Sequence, residues 1–323
     1  MSPVERLLLL LLPLSFGMGF ASPGAAVSPV PGEVAFGFTD PDITESSGLV
    51  VLRDGLVVTV NDSGDSSRIF TVDPATGDTV GVTRWQGEPT DDEALAPAGG
   101  GDVWVGDIGD NPGTRSSVRV TRVPAGRGER TVRAPSYELV YPDGPRDAET
   151  LLADPATGRL YIVSKEFFGR VYAAPARLDP DRPNRLTEVG RAIGIATDGA
   201  FWPDGRHLVV RNYREATVYT WPDLRRVTTV DLPEQKQGEG IAIARDGTVL
   251  VSSEGTNAEV LRVDLPEPAA PPTSESAAAD GEAPAEAPPD DDGGRADTLL
   301  PVALVVGAVV GGLWLLLRTR RRR

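Results

Sequence analysis

The 323-residue sequence contains no cysteine, a single histidine and only two lysines. Without cysteine the chain can have no disulfide, no thiolate metal site and no cysteine nucleophile, and one histidine cannot supply a multi-histidine zinc site. Any catalysis or metal binding must therefore use carboxylates, hydroxyls, amides and the arginines. The formal net charge of -15 argues against nucleic acid as a partner.

The two ends of the chain carry predicted targeting segments. The apolar N-terminal stretch and the small residues that follow it predict a secretory signal peptide over residues 1–21, with an uncleaved anchor as the alternative. Residues 298–317 are almost wholly apolar, and five arginines follow within residues 318–323. About 20 helical residues cover the roughly 30 Å of bilayer hydrocarbon, and the arginines place the C-terminus in the cytoplasm.

Residues 266–297 contain nine acidic residues, one arginine and many prolines and alanines. This composition predicts a disordered acidic linker between a folded domain and the membrane span. We therefore expect a single-pass protein of the cell membrane, with its N-terminal domain extracellular and its basic tail cytoplasmic. The expected partners are the membrane and an extracellular ligand or protein.

Residues 33–265 are predicted to form an all-β domain. Apolar runs of four to eight residues alternate with Gly, Pro, Asp and Asn turns, and no segment keeps a helical period for three turns. An acidic residue opens a short apolar strand at intervals of 48, 56, 49 and 41 residues. These residues are Glu45, Glu93, Glu149, Asp198 and Glu239. Units of this length with four strands each are typical of β-propeller blades.

The strand count predicts five blades. The fifth unit has only three strands, and residues 33–38 offer the missing fourth strand. An N-terminal strand that completes the last blade closes the ring and removes exposed edges, so we predict a five-bladed propeller with this closure. A six-bladed ring is the alternative, because the second unit is long enough to contain an additional hairpin.

The propeller geometry predicts a polar face. The inner strand of each blade begins on one face, and the turn between the second and third strands returns to that face. Converging carboxylates repel one another unless a cation neutralises them, and all-oxygen ligands select Ca²⁺ or another hard divalent cation over zinc. The predicted metal ligands are Glu45, Asp62, Glu93, Asp107, Glu149 and Glu239. The alternative is that these residues only form turns and cap strands.

Three further residues of this face are predicted to contact a ligand. Lys165 and Arg211 interrupt the acidic ring and could bind an anionic group, or they could balance neighbouring carboxylates. Tyr213 offers an aromatic platform beside them. The lone histidine, His207, opens a second strand and is expected in solvent on the opposite face.

Four motifs carry a family resemblance: ESSGL at residues 45–49, NDSGD at 61–65, GDIGDN at 106–111 and EGIA at 239–242. Through them, about residues 40–265 resemble the gluconolactonase-like, NHL-type and phytase-like propellers, and especially uncharacterised exported propellers of actinobacteria. The resemblance implies a polar face with a tendency to bind metal, but no particular reaction.

Three functions fit the sequence. A non-catalytic surface domain that binds a ligand or partner, with Ca²⁺, is favoured because no nucleophile–base pair is evident. A Ca²⁺-dependent hydrolase of a lactone or phosphoester is the second, with the ion activating water. A glycosidase that uses two carboxylates is the third. The scarcity of basic residues on the acidic face counts against a phosphate-rich substrate.

Overall fold

The computed structural model describes residues 29–62 and 64–266, and these residues form five β-sheets. The innermost strands of the sheets contact one another in a closed cycle, so the sheets are the blades of a five-bladed propeller, as predicted. The predicted signal peptide, the membrane span and nearly all of the linker lie outside the described residues. No helix within the described part of the chain is long and apolar enough to cross a membrane.

Each blade is built outward from its innermost strand, and strands are numbered along the chain. Blade 1 contains β2 (Ser46–Val51), β3 (Val57–Asn61), β4 (Arg68–Asp73), β5 (Asp78–Trp85) and β9 (Gly128–Val132). Blade 2 contains β6 (Asp92–Gly99), β7 (Asp102–Asp107), β8 (Val118–Pro124), β10 (Ser136–Val140) and β14 (Asn184–Arg185). Blade 3 contains β11 (Ala148–Ala153), β12 (Leu160–Ser164), β13 (Gly169–Ala173) and β15 (Thr187–Ala192).

The remaining two blades complete the ring. Blade 4 contains β16 (Asp198–Phe201), β17 (His207–Arg211), β18 (Glu215–Thr220) and β19 (Arg226–Asp231). Blade 5 contains β20 (Gly238–Ile243), β21 (Val249–Ser253), β22 (Glu259–Val263) and β1 (Gly32–Gly37). Strand β1 pairs antiparallel with β22, so the predicted N-terminal closure is confirmed. Because every described strand finds its partners within residues 32–263, the propeller contains all of its own pairing and can be studied in isolation.

The long second unit does contain an additional strand, but not a sixth blade. Strand β9 leaves blade 2 and pairs parallel with β5 at the outer edge of blade 1. Strand β14 does the same for blade 2, where it pairs parallel with β10. Both strands cover an edge that would otherwise be open to pairing with another chain.

The hydrophobic core lies in five layers, one between each pair of neighbouring blades. Successive side chains of a strand point to opposite faces, so a strand between two neighbours is apolar throughout. On β12, for example, Leu160 and Ile162 pack toward blade 2, whereas Tyr161 and Val163 pack toward blade 4. This double burial explains why the inner strands read as continuous apolar runs in the sequence.

The inner strands approach closely at the axis, and small residues make this approach possible. A Cβ atom on Gly48 would lie 2.3 Å from the backbone nitrogen of Leu95 in blade 2. Glycine is therefore required where β2 and β6 meet, immediately beside the residues that form the candidate site.

Candidate functional site

The candidate site lies on the upper face, which we define as the end of the propeller where the inner strands begin. Strand pairing places Ser46 opposite Asn61, Asp92 opposite Asp107, Ala148 opposite Ser164 and Gly238 opposite Ser253. The next residue of each inner strand, together with Asp198 of β16, forms what we call the inner ring. Its members are Ser47, Glu93, Glu149, Asp198 and Glu239, and all of them are buried.

In blade 1 the predicted register is wrong by two residues. Ser47, not Glu45, occupies the ring position, and Glu45 is exposed. The backbone carbonyl of Glu45 accepts the N–H of Asp62 in the way that the carbonyl of Asp147 accepts the N–H of Lys165. Glu45 therefore corresponds to Asp147 at the rim of the face and does not belong to the ring.

Two predicted ligands, Asp62 and Glu93, meet a third carboxylate that the sequence analysis missed, Asp91. We call these three residues the acidic cluster. One carboxylate oxygen from each lies within 4.8 Å of the others. Asp91 precedes β6 and Glu93 lies within it, so the two side chains share a face by the alternation of an extended chain. The run of three acidic residues at positions 91–93 is the signal that could have revealed this.

The backbone of the β7–β8 loop packs directly on the acidic cluster. A Cβ atom on Gly109 would lie 2.3 Å from Oδ2 of Asp91 and 2.9 Å from Cγ of Glu93. From the other side, the hydroxyl of Ser47 donates to the carbonyl oxygen of Glu93 at 2.6 Å and lies 3.3 Å from its Oε2. The cluster is thus held between two blades.

The acidic cluster holds its carboxyl groups in an unfavourable environment. Burial, followed by the neighbouring charges of Glu149, Asp62 and Asp91, raises the pKa of Glu93 far above its ordinary value of 4.5. Burial and then the charge of Asp62 raise the pKa of Asp91 to about 6. Asp62 and Glu93 share a hydrogen bond. Two carboxyl groups in contact repel each other when both are charged, so this contact favours the protonated form of Glu93.

Asp107 supports the loop that carries Asp91. Its Oδ1 accepts the backbone N–H of Asp91 at 2.9 Å and that of Thr90 at 3.3 Å, and it lies 2.8 Å from Nη2 of Arg115. In blade 1, Asn61 accepts the N–H groups of the corresponding loop in the same way. The structure thus gives Asp107 a positioning role next to the cluster.

In blade 3, Glu149 is paired with a cation. Nζ of Lys165 bonds to Oε1 of Glu149 and lies 5.2 Å from the centre of the Tyr213 ring. Burial lowers the pKa of Lys165, but the charge and hydrogen bond of Glu149 and the contact with Tyr213 together outweigh burial and raise it, so the ammonium group stays charged. Oε2 of Glu149 is buried and has no hydrogen-bond partner among the described residues. Two predicted ligand contacts, Lys165 and Tyr213, therefore lie side by side.

In blade 5 the ring residue Glu239 lies beside a second carboxyl group, that of Glu254. Burial, and then the charge of Glu149, raise the pKa of Glu239 to about 9. Glu239 is hydrogen-bonded to Glu254, which follows β21 on the same face. The other oxygen of Glu239, Oε2, is buried and has no hydrogen-bond partner within the described part of the chain.

The third predicted ligand contact, Arg211, lies inside the protein with none of its surface exposed. Its guanidinium donates to the carbonyl oxygens of Asn212, Gly240 and Ser252 at 3.0 to 3.3 Å, and so joins blade 4 to blade 5. Burial lowers its pKa to about 10, against the opposing charges of Glu239 and Asp198. At neutral pH Arg211 is therefore a buried charge beneath the upper face.

Asp198 differs from the other acidic ring residues because its carboxylate binds backbone groups. Its Oδ2 accepts the N–H of Ile241 at 2.8 Å and lies 3.4 Å from the backbone nitrogen of Leu49. Its Oδ1 accepts the backbone N–H of the next residue, Gly199. These contacts connect blade 4 to blades 5 and 1 across the axis. Asp198 is thus a structural member of the ring.

An aromatic pair at the edge of the upper face has no counterpart in the sequence analysis. Phe167 and Phe168 occupy the β12–β13 turn, directly after Lys165 and Glu166, and are 79% and 68% exposed. Their rings pack edge to face at 4.9 Å. Large apolar side chains exposed together on a surface mark contacts with ligands or partners. Hydropathy alone could not have identified them, because the turn also reads as the end of a buried strand.

His207 lies toward the opposite, lower face, as predicted, but the expectation that it is in solvent is wrong. Its side chain is buried, and its Nδ1 lies 2.7 Å from Oδ2 of Asp204. The histidine closes the turn between β16 and β17, where Asp204 also accepts two backbone N–H groups.

Comparisons with known proteins concern the fold. Neither protein-family models nor curated proteins gave a match. Among solved structures, the chain is similar to a gluconolactonase of Xanthomonas campestris, with a TM-score of 0.42 and 15% identity over 76% of this chain and 90% of that one.

Proposed function

We propose that the upper face binds a divalent cation of the Ca²⁺ type at the acidic cluster and an anionic group of a ligand or partner beside it. The observation that carries this proposal is the grouping of Asp62, Asp91 and Glu93 within 4.8 Å. Ca²⁺ lies 2.3–2.6 Å from its oxygen ligands, so oxygens on opposite sides of the ion are about 5 Å apart. The spacing of the cluster fits this limit.

The electrostatics of the cluster support the same proposal. The raised pKa of Glu93 and its contact with Asp62 mean that Glu93 holds a proton near neutral pH. A cation would displace this proton and restore the carboxylates to their charged form. Lys165, which is already fixed by Glu149, would then bind an anionic group of the ligand next to the ion, and Tyr213 would flank it.

The biological setting is proposed from the sequence. An export signal at residues 1–21 and a span at residues 298–317 would hold the propeller outside the cell on a membrane anchor. Protease added to intact cells that express the full chain should then degrade the propeller while it stays in the membrane fraction. A propeller that is protected in intact cells would contradict this topology.

Calorimetric titration of the isolated propeller, residues 29–266, with CaCl₂ and MgCl₂ tests the cation site. We expect saturable Ca²⁺ binding and a melting temperature that falls when a chelator is added. The double variant Asp91→Asn with Glu93→Gln should lose both effects, whereas Glu138→Gln, an exposed carboxylate on β10, should keep them. An absence of both saturable heat and a chelator effect in the unmodified propeller would refute the cation site.

A metal-dependent hydrolase is the second candidate, and the carboxyl groups next to the cluster favour it. Asp91 has a pKa of about 6, and burial followed by the charge of Asp107 raises the pKa of Asp92 to about 8. Groups that titrate near neutral pH are suited to general acid–base catalysis. Turnover of lactone or phosphoester substrates only with Ca²⁺ present would support the enzyme, and Ca²⁺ binding without any turnover would support the binding protein.

A further inference from the structure

The lower face, where the inner strands end, contains a large cavity that the proposed function does not use. Its volume is about 680 Å³, and all five blades contribute to its lining. Clefts of this size are typical of sites for small organic molecules. Leu95, the lining residue of β6 nearest to the ring, is two positions from Glu93, which is roughly 7 Å along a strand, and no residue of the acidic cluster lines the cavity.

The wall of the cavity is mostly apolar. Blades 1 to 3 contribute the accessible apolar residues Val51, Pro97 and Ala153. Blades 4 and 5 contribute Ala200 and Ile243, which are also partly accessible. An apolar part of a ligand would therefore replace water against alkyl groups, which is favourable in proportion to the area that is buried.

Some of the charged residues that line this cavity have partners in the protein, and others do not. Asp102 is paired with Arg122 at 2.9 Å, and Asp154 accepts a backbone N–H and the Thr157 hydroxyl at 2.8 Å. In contrast, two other lining arginines, Arg53 and Arg245, have no ion-pair partner among residues 29–62 and 64–266.

The two unpaired arginines lie at corresponding positions. Arg53 occupies the turn after β2 in blade 1, and Arg245 occupies the turn after β20 in blade 5. Blades 1 and 5 are neighbours through the ring closure, so both guanidinium groups lie at one side of the cavity mouth. The adjacent acids Asp54 and Asp246 are engaged in their own turns, where they accept backbone N–H groups. Three arginines and two aspartates line the cavity, so in a chain of net charge -15 its lining has a surplus of positive charge.

We propose that the lower cavity binds an amphipathic anion, with its apolar body against Ala200 and Ile243 and its carboxylate, sulfate or phosphate group at Arg53 and Arg245. Arginine suits this task because its planar group donates two parallel hydrogen bonds to such anions. The site is independent of the cation at the upper face.

Calorimetric titration of the isolated propeller with decanoate, decyl sulfate and decylammonium tests this proposal. The two anions should bind with saturation, and decylammonium, which has the same chain and the opposite charge, should not bind at this site. The double variant Arg53→Gln with Arg245→Gln should weaken decanoate binding at least about tenfold, since a hydrogen bond to a charged group is worth about 1.5–3 kcal/mol. Filling the cavity by Ala200→Phe should weaken it further.

Two controls make the result decisive. Arg133→Gln with Arg226→Gln removes two exposed arginines outside the cavity and should leave decanoate binding unchanged. Glu93→Gln should abolish Ca²⁺ binding without affecting decanoate, so that failure at one face is distinguished from failure at the other. The proposal is overturned if decanoate does not bind with saturation, if decylammonium competes equally, or if both arginine pairs have the same effect.

Discussion

Replacing Glu93 by Gln should make the cation-free propeller more stable and at the same time remove its response to Ca²⁺. The carboxyl group of Glu93 is 2% exposed, and burial and three neighbouring carboxylates raise its pKa. A neutral amide of the same shape removes the repulsion, and its NH₂ group can still donate to Asp62. The substitution nevertheless deletes one of the three oxygen ligands.

The expected gain in the free energy of unfolding follows from proton linkage. Below pH 4.5, the ordinary pKa of glutamic acid, the folded and unfolded states both hold the proton, and the raised pKa does not change the free energy of unfolding. Above it the unfolded chain releases the proton while the folded chain keeps it, so stability falls by about 1.4 kcal/mol per pH unit up to the folded-state pKa. At pH 7, roughly 2.5 units higher, the cost approaches about 3 kcal/mol. For a domain of this size this corresponds to roughly 6–12 °C in melting temperature.

Thermal unfolding of both proteins with chelator and with Ca²⁺ checks the prediction. Ca²⁺ at 100 times its dissociation constant adds about 2.7 kcal/mol to the unmodified propeller, which should bring it close to the Glu93→Gln variant. The variant itself should melt at the same temperature in both conditions. In chelator, the difference in melting temperature between the variant and the unmodified propeller should shrink as the pH is lowered toward 4.5. The reasoning fails if the variant is less stable than the unmodified protein in chelator, or if Ca²⁺ still stabilises it.

Three further predictions concern the support of the site and of the ring. Gly109→Ala places a Cβ against Asp91 and should weaken Ca²⁺ binding about 10- to 100-fold by calorimetry, whereas Gly37→Ala, whose Cβ has its nearest neighbour at 3.9 Å, should not. Arg211→Gln should cost about 3–5 kcal/mol in urea unfolding because it leaves buried carbonyl and carboxylate groups unpaired; an effect as small as that of the exposed Arg226→Gln would contradict this role. Deleting residues 29–37 exposes the edge of β22 and should yield aggregated protein by light scattering, while a stable monomer would refute the closure.

The fold could be predicted because its signals are local and repeated. Doubly buried strands are apolar at every position, and the acidic residues that open the blades recur at blade spacing. What the sequence could not settle was where the additional strand of the second unit goes. Strand β9 carries the same pattern as any edge strand, and its partner β5 is more than 40 residues away, so only the tertiary structure shows that it widens blade 1.

The candidate site was predicted in outline, and the errors share one cause. Glu45 was placed in the ring because it precedes an apolar strand, but the ring position is set by strand pairing, which places Ser47 there. A shift of two residues keeps a side chain on the same face and leaves the hydrophobic pattern intact, so periodicity cannot detect it. Asp91 was missed for the related reason that its own position precedes the strand.

The location of the proposed cation site follows from where the five-fold repeat is broken. Each blade could supply one carboxylate to the ring, but Lys165 neutralises Glu149 in blade 3, and Asp198 of blade 4 is committed to backbone N–H groups and lies close to Arg211. In blade 1 the ring position is a serine, which adds no charge beside Glu93 and donates a hydrogen bond to its carbonyl. Carboxylates with ligand spacing therefore remain at the boundary of blades 1 and 2. An ion that bound there would have two basic side chains nearby: Arg115, whose charge acts on Asp91, and Lys165 of blade 3, which is bound to Glu149.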